Sequence, residues 1–404
     1  MRLEYKGKKS EREILIKNTP ITFKSISGNS EAQSKLIKGE NLAVLKYLLS
    51  NGFKEKIDLV YIDPPFATNN TFTISKEKAN SISRSNSDNL AYDDSLVGPE
   101  YLEVIRERLI LLRELLSDKG SIYFHIDYKI GHYIKVLMDE VFGKENFVND
   151  ITRIKCNPKN FSRKAFGNVK DMILLYSKTG NYIWNEPKAQ LSDEDIKKLF
   201  KKIDKNGRKY TTIPLHAPGE TKDGPTGQKW RGMMPPKGRH WRSPPSVLEE
   251  LDKKGLIEWS KNGVPRKKIY ADEKDGKKIQ DIIEFKDLQN PIYPTEKNLD
   301  LLKLLINASS NKNSIVLDCF CGSGTTLKAA KDLDRRWIGI DQSEEAISVA
   351  LKKLKSQQKT LLVVEEFEYL EQINDPINQE GGISYLESRR PLKNENSEDE
   401  VIIR

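Results

Sequence analysis

The sequence predicts an α/β protein built on a doubly wound, mostly parallel sheet. Apolar strand-like runs alternate with helical patterns from about residue 30 to 180, and again from about 295 to 357. That alternation implies parallel strands with helices on both faces. Two of the runs, Leu59–Ile62 and Ile315–Leu317, end in tightly turning polar loops, and open α/β sheets bind ligands at such strand ends. Between the two halves, from about residue 185, the sequence is polar, basic and punctuated by Pro and Gly. It reads as an insertion into one domain assembled from both ends of the chain.

The first run leads into Asp63-Pro64-Pro65-Phe66. An ionised Asp63 offers only acceptor oxygens, and proline rings fix the backbone so that its carbonyls are rigidly aimed. Asp63 and the Pro64 carbonyl can accept the two hydrogens of an exocyclic amine, and Phe66 supplies a face on which a base can stack. Residues 68–95 are rich in Asn, Ser and Asp and read as a mobile loop that fits a lid beside this motif. Leu102–Leu116 and Tyr133–Phe142 have helical periodicity, and Asp171–Ser177 reads as a strand. His125, beside Asp127 at the end of the Gly120–Asp127 run, reads as a structural or substrate-side residue rather than a base.

The second run leads into Asp318-Cys319-Phe320-Cys321-Gly322-Ser323-Gly324-Thr325-Thr326 and a helix. Gly322 and Gly324 let the backbone turn sharply and approach a ligand closely. The spacing differs from that of dinucleotide folds, and no Lys stands where a P-loop requires one. The next strand, Arg336–Ile340, ends at Asp341, where a carboxylate is placed to accept both hydroxyls of a ribose.

Taken together and in this order, the motifs resemble the β-class, permuted, site-specific amino-methyltransferases of DNA. Gly39-Glu40-Asn41-Leu42 resembles that family's cofactor-contacting segment, with Glu40 in place of the usual Asp. Tyr293-Pro294-Thr295-Glu296-Lys297 resembles the segment before the cofactor strand, with Glu296 in place of the commoner Gln. Asp-Pro-Pro-Phe stands where Asp-Pro-Pro-Tyr is commoner. The resemblance implies a permuted sheet of the S-adenosylmethionine-dependent methyltransferase type. It implies a cofactor site formed by Asn41, Thr295, Lys297, Asp318, Phe320, Gly322, Gly324, Thr325 and Asp341, and a catalytic loop formed by Asp63, Pro64, Pro65 and Phe66. It further implies methylation of adenine N6 on a flipped-out base of duplex DNA, with no metal. Cytosine N4 methylation, RNA base methylation and a catalytically silent DNA-binding subunit are the rival readings. A restriction endonuclease subunit and a second copy of the chain stay open as partners.

The insertion is expected to recognise the target. Between Lys197 and Arg242 there are thirteen Lys/Arg against three Asp/Glu, a net of +10 beside +9 for the whole chain. Lys229, Trp230, Arg231, Arg239, His240, Trp241 and Arg242 interleave cations with rings, a mixture that suits phosphate clamping and base-edge reading. The organisation that follows is an N-terminal extension (1–29), a first catalytic part (30–184), the insertion (185–292), a cofactor-binding part (293–371) and a polar tail (372–404). A pI near 9.0 favours a polyanionic partner. Three cysteines without metal or disulfide spacing fit a reducing cytoplasm. No apolar stretch is long enough to span a bilayer.

Overall fold

The computed structural model describes residues 2–16, 21–65, 71–74, 79–80, 89–93, 98–158, 164–221, 223–289, 291, 293, 296–355, 367–373 and 402–403. The chain divides into two compact units, Met1–Pro187 with Gln280–Arg404, and Lys188–Ile279.

The first unit is organised around a sheet of ten strands among the described residues. Their order is Ile282–Glu284, Phe147–Ile154, Lys170–Ser177, Leu116–Ile126, Ile57–Ile62, Ile315–Asp318, Arg336–Asp341, Lys35–Lys38, Glu368–Ile373 and Thr22–Ser27. Lys170–Ser177 and Thr22–Ser27 run against the other eight. The central strands are nearly all apolar because both faces are covered. Leu59, Val60, Val316 and Leu317 have no exposed surface.

The two motif-bearing strands are neighbours here, with Val316 opposite Leu59 and Leu317 opposite Val60. From this pair the chain winds in both directions. The helix Gly98–Leu115 precedes Leu116–Ile126 on one side, and the helix Thr325–Asp332 leads to Arg336–Asp341 on the other. Gly98–Leu115 buries Leu102, Ile105, Leu109 and Leu112 along one stripe, the spacing of an amphipathic helix. The carboxyl ends of Ile57–Ile62 and Ile315–Asp318 therefore meet at a topological switch point, where open α/β sheets bind their ligands.

Three expectations about the segments need correction. Part of the 68–95 region is a three-stranded antiparallel sheet, formed by Thr71–Ile74 between Ala79–Asn80 and Asn89–Asp93; the rest of the lid expectation lies outside the described residues. The tail is not polar throughout, since the apolar pair Ile402–Ile403 forms a ladder with Leu3–Glu4. Consecutive β-branched residues favour that pairing. The second unit closes earlier than 292, because Ile282–Glu284 adds a parallel strand to the large sheet beside Phe147–Ile154.

In the second unit, Lys202–Ile203, Lys209–Pro214, Pro265–Tyr270 and Ile257–Trp259 form an antiparallel sheet, and His216–Pro218 pairs with Arg239–Trp241. Leu215, Trp230, Trp241, Leu248 and Ile257 make its small core. Its 23 Lys/Arg against 13 Asp/Glu leave a net of +10. Among the described residues, no helix is long and apolar enough to cross a membrane.

Candidate active site at the carboxyl edge of the sheet

Asp63 directly follows the buried strand Ile57–Ile62. Its Oδ2 lies 2.7 Å from Lys297 Nζ. Its Oδ1 is buried and has no hydrogen-bond partner among the described residues. A buried acceptor left unmatched is costly and calls for an explanation. Pro64 is buried, and the Pro65 carbonyl accepts a 2.7 Å hydrogen bond from Tyr101 Oη on the Gly98–Leu115 helix. The loop is thus held from its far side while Oδ1 is left unmatched. Phe66 lies outside the described residues.

Tyr61, two residues before Asp63 and on the same face of the strand, begins a buried polar chain. Burial raises the Tyr61 phenol well above its ordinary pKa, with the Asp63 and Asp318 charges adding to the effect. Its hydroxyl therefore stays protonated and donates to His125 Nδ1 at 2.8 Å. His125 Nε2 then donates to Asp171 Oδ2 at 3.3 Å, a tautomer assigned from these partners. Burial lowers the His125 pKa against the pull of Asp171, so the ring is neutral. Burial by itself would raise the Asp171 carboxyl. The His125 hydrogen bond and the Lys155 charge outweigh it and hold the group well below the usual range. Lys155 lies 2.6 Å from Asp171, and Arg153 bridges Asp171 to Asp287. His125 is thus fully buried and paired, the structural one of its two expected roles.

The second loop lies across the strand pair. Gly322 and Gly324 have φ of +48° and +75°, a left-handed turn that favours glycine. Asp341 Oδ2 accepts the Gly322 N–H at 2.8 Å and Oδ1 accepts the Ser343 N–H at 2.9 Å. Each oxygen keeps a further lone pair. Burial raises the Asp341 pKa. Asp318 accepts the Phe320 N–H at 3.0 Å and the Thr326 hydroxyl. Burial pushes its pKa up to about 7, opposed by these bonds and aided by the Asp63 and Asp341 charges. Asp318 therefore braces the turn from within. Asn41 does so from outside, donating to the Cys319 carbonyl at 3.1 Å and accepting from Arg108 Nε at 2.6 Å. Glu40 caps the helix Asn41–Leu48 and pairs with Arg108. Phe320 is partly buried against the core. Thr325, at the start of its helix, bonds to Lys353 Nζ at 2.9 Å. Thr295 lies outside the described residues. No group of three His, Cys, Asp or Glu that could hold a metal occurs among the described residues.

In the second unit, the expected nucleic-acid contacts separate into two groups. Trp230 and Trp241 are each only 3% exposed and pack edge-on at 6.1 Å. Their indole N–H groups donate to Glu249 and to the Gln228 carbonyl. No ring face is left for a base, so their part is to hold the unit together. Arg231 is exposed but tied to Glu249 and Asp252. Lys229, Arg239 and Arg242 are exposed and His240 partly so. Arg239 contacts His216 Nδ1, His240 the Gly219 carbonyl and Arg242 the Pro214 carbonyl; no carboxylate partner is seen for the two arginines among the described residues. Rings interleaved with cations look alike in sequence whether they form a core or a stacking platform.

Sequence reasoning missed Tyr101, the Arg153–Lys155–Asp171 cluster and Lys353. Each acts through a contact with a distant segment, and no local spacing signals it.

A family model for DNA methylases of the N6/N4 type matches residues 57–352. Type II methyltransferase M.EcaI of Enterobacter cloacae is 42% identical over 363 residues, covering 87% of this chain and 77% of that protein. The type III restriction-modification enzyme StyLTI Mod subunit of Salmonella typhimurium is 28% identical over 369 residues, covering 81% of this chain and 54% of the subunit. Among solved structures, the M1.HpyAVI–SAM complex superposes with a TM-score of 0.43 at 18% identity, over 80% of this chain and 98% of that one. The family match spans most of the chain, as does the similarity to M.EcaI: this protein belongs to the DNA methylase family.

Proposed function

We propose that this DNA methylase transfers a methyl group from S-adenosylmethionine to adenine N6 of a base flipped out of duplex DNA. The observation that carries the reading is the buried, unmatched Oδ1 of Asp63, beside an Oδ2 already taken by Lys297.

The second loop fits the methyl donor. Among the described residues, a Cβ added at Gly322 would meet nothing nearer than the Tyr293 ring, at an ordinary contact distance of 3.8 Å. Backbone at this turn is therefore open to close approach. Asp341 keeps acceptor capacity at the next strand end, suited to ribose hydroxyls. S-adenosylmethionine, when bound, supplies an electrophilic methyl group on a sulfonium.

The chain's own residues act on the acceptor. An exocyclic amine is a poor nucleophile because its lone pair is delocalised into the ring. Asp63 Oδ1 accepts one amine hydrogen and the Pro64 carbonyl the other, which draws the nitrogen toward a pyramidal geometry and localises its lone pair for attack on the methyl group. The same oxygens stabilise positive charge as it develops on nitrogen, and donors or acceptors preorganised in this way act strongly in a site shielded from water. After transfer, the surplus proton on nitrogen is held at Asp63 Oδ1. Tyr101 and Lys297 keep the loop and the carboxylate from turning away. The reacting nitrogen is stacked inside a duplex, so the nucleotide must be extruded first.

Adenine is favoured over cytosine because the first catalytic position is Asp63, whereas the resembled families acting on cytosine N4 more often carry Ser there. The basic second unit supports duplex contact through Lys229, Arg239, His240 and Arg242. The kinship with type II and type III restriction-modification proteins supports work alongside a restriction endonuclease. Free cysteines at 156, 319 and 321 suit the reducing cytoplasm.

Duplex DNA incubated with labelled S-adenosylmethionine, followed by nucleoside mass spectrometry and modification-aware sequencing, tests the reading. N6-methyladenine at a defined site is expected. N4-methylcytosine would replace the adenine assignment, and unmodified DNA would end the proposal. Asp63→Ala should lower the single-turnover rate by ~10²–10³ while cofactor binding survives.

A further inference from the structure

Lys353 belongs to the helix Glu344–Lys355, outside both motifs. Its ammonium lies 2.5 Å from Glu296 Oε1, 3.0 Å from Ser323 Oγ and 2.9 Å from Thr325 Oγ1. The side chains of Lys353 and Glu296 are only 16% and 8% exposed. An ammonium has three hydrogens to donate, and these contacts reach two different segments.

The first is the turn in the second loop. Ser323 sits between two left-handed glycines, Gly322 and Gly324. Such a turn has no Cβ atoms at its flanks to pack against neighbours. The hydroxyls of Ser323 and Thr325 tie it to a distant helix through a single atom, Lys353 Nζ. The second segment is the one carrying Glu296. Its next residue is Lys297, whose Nζ meets Asp63 Oδ2 at 2.7 Å. A path of direct contacts and one peptide step thus runs from the turn through Lys353, Glu296 and Lys297 to Asp63.

We propose that Lys353 is a positioning residue that joins the cofactor turn to the acceptor carboxylate, with Glu296 as its counter-ion. The inference rests on the cofactor reading given under Proposed function. A buried pair could instead serve only to balance charge, and the two roles part in the double variant. Glu296→Gln with Lys353→Met removes both charges of the pair together, and with them the donors to Ser323 and Thr325.

The test compares parent, Lys353→Met, Glu296→Gln and the double variant. Each is measured by thermal midpoint, hydrogen exchange of the 319–326 peptide without cofactor, and calorimetric affinity for S-adenosylmethionine. Lys353→Met alone should lower the midpoint, because breaking a buried pair strands a charge. In the double variant the midpoint should return toward that of the parent. Exchange at the turn should still run about tenfold faster or more, and affinity should be about tenfold weaker or more (~1.4 kcal/mol). The KM for DNA should hold while kcat falls. Parental exchange and affinity in the double variant would reduce the pair to charge balance and overturn the assignment. A parent chain that binds no S-adenosylmethionine is a different outcome, and it would overturn the underlying function as well.

Discussion

Lys297 Nζ and Asp63 Oδ2 stand 2.7 Å apart, with both side chains largely withdrawn from solvent. Lys297 was expected on the cofactor side, and among its contacts is the carboxylate of the first motif. Lys297→Met would leave Asp63 buried without that cation, and removal of one partner from a buried pair is strongly unfavourable. Single-turnover methylation is expected to fall by ~10² or more, with calorimetric S-adenosylmethionine affinity changed by less than about tenfold. Equal losses in both would give Lys297 a part in holding the cofactor as well.

The two glycines of the second loop should respond differently. At Gly324 a Cβ would stand 2.9 Å from Ala350 Cβ and 3.3 Å from Ala350 Cα. Gly324→Val therefore damages the packing of the turn against the helix Glu344–Lys355 as well as any ligand contact. At Gly322 no described atom comes nearer than the Tyr293 ring at 3.8 Å, and an alanine there adds left-handed strain of ~1–2 kcal/mol. Gly322→Ala should lose cofactor affinity with a small midpoint shift, and Gly324→Val should lose stability. Calorimetry and thermal melts on both variants decide the matter; a Gly322→Ala protein with parental affinity removes the turn from the site.

Asp318 gives a pH signature. Its folded pKa is raised from 3.8 to about 7, chiefly by burial. The folded chain therefore binds more protons at this group than the unfolded chain between those values. Its contribution to stability falls as pH rises through that window and is level above it. Asp318→Asn keeps an acceptor for the Phe320 N–H and cannot titrate. The change in denaturant midpoint between pH 5 and pH 8 should be less unfavourable in this variant than in the parent. Identical pH profiles would show that Asp318 is not held in the protonated form at low pH.

For the second unit, stability and DNA affinity should separate. Trp230→Ala empties part of a small core and should cost ~3–5 kcal/mol of that unit's stability. Arg239→Gln and Arg242→Gln should leave stability nearly unchanged and each lower the salt slope of DNA binding by roughly 0.9. Arg231→Gln breaks pairs with Glu249 and Asp252 and should shift the melt more than the slope. Anisotropy titrations on a labelled duplex at several salt concentrations, beside thermal melts, report both quantities. An unaltered slope in the Arg239 and Arg242 variants would move DNA contact elsewhere.

What the sequence determined by itself was local. The runs Leu59–Ile62 and Ile315–Leu317 read as buried strands, because they are short, rich in β-branched residues and bounded by turn-forming Pro and Gly. The proline pair after Asp63 and the glycines at 322 and 324 marked where those strands must turn, since φ preferences belong to single residues. The unusual order of the motifs also stood in the linear chain. Tertiary structure decided what those positions touch. The pairing of Val316 with Leu59 brings two remote loops to one edge of the sheet. Only then does Lys297 meet Asp63, Tyr101 hold the Pro65 carbonyl, and Lys353 reach the glycine turn. The same rule accounts for the second unit, where Trp230 reads as part of a nucleic-acid surface until burial places its ring in the core, and where Arg231, though exposed, is paired with Glu249 and Asp252. Hydrogen bonds and ion pairs act over a few ångströms in space, and sequence separation carries no information about which distant groups will come that close.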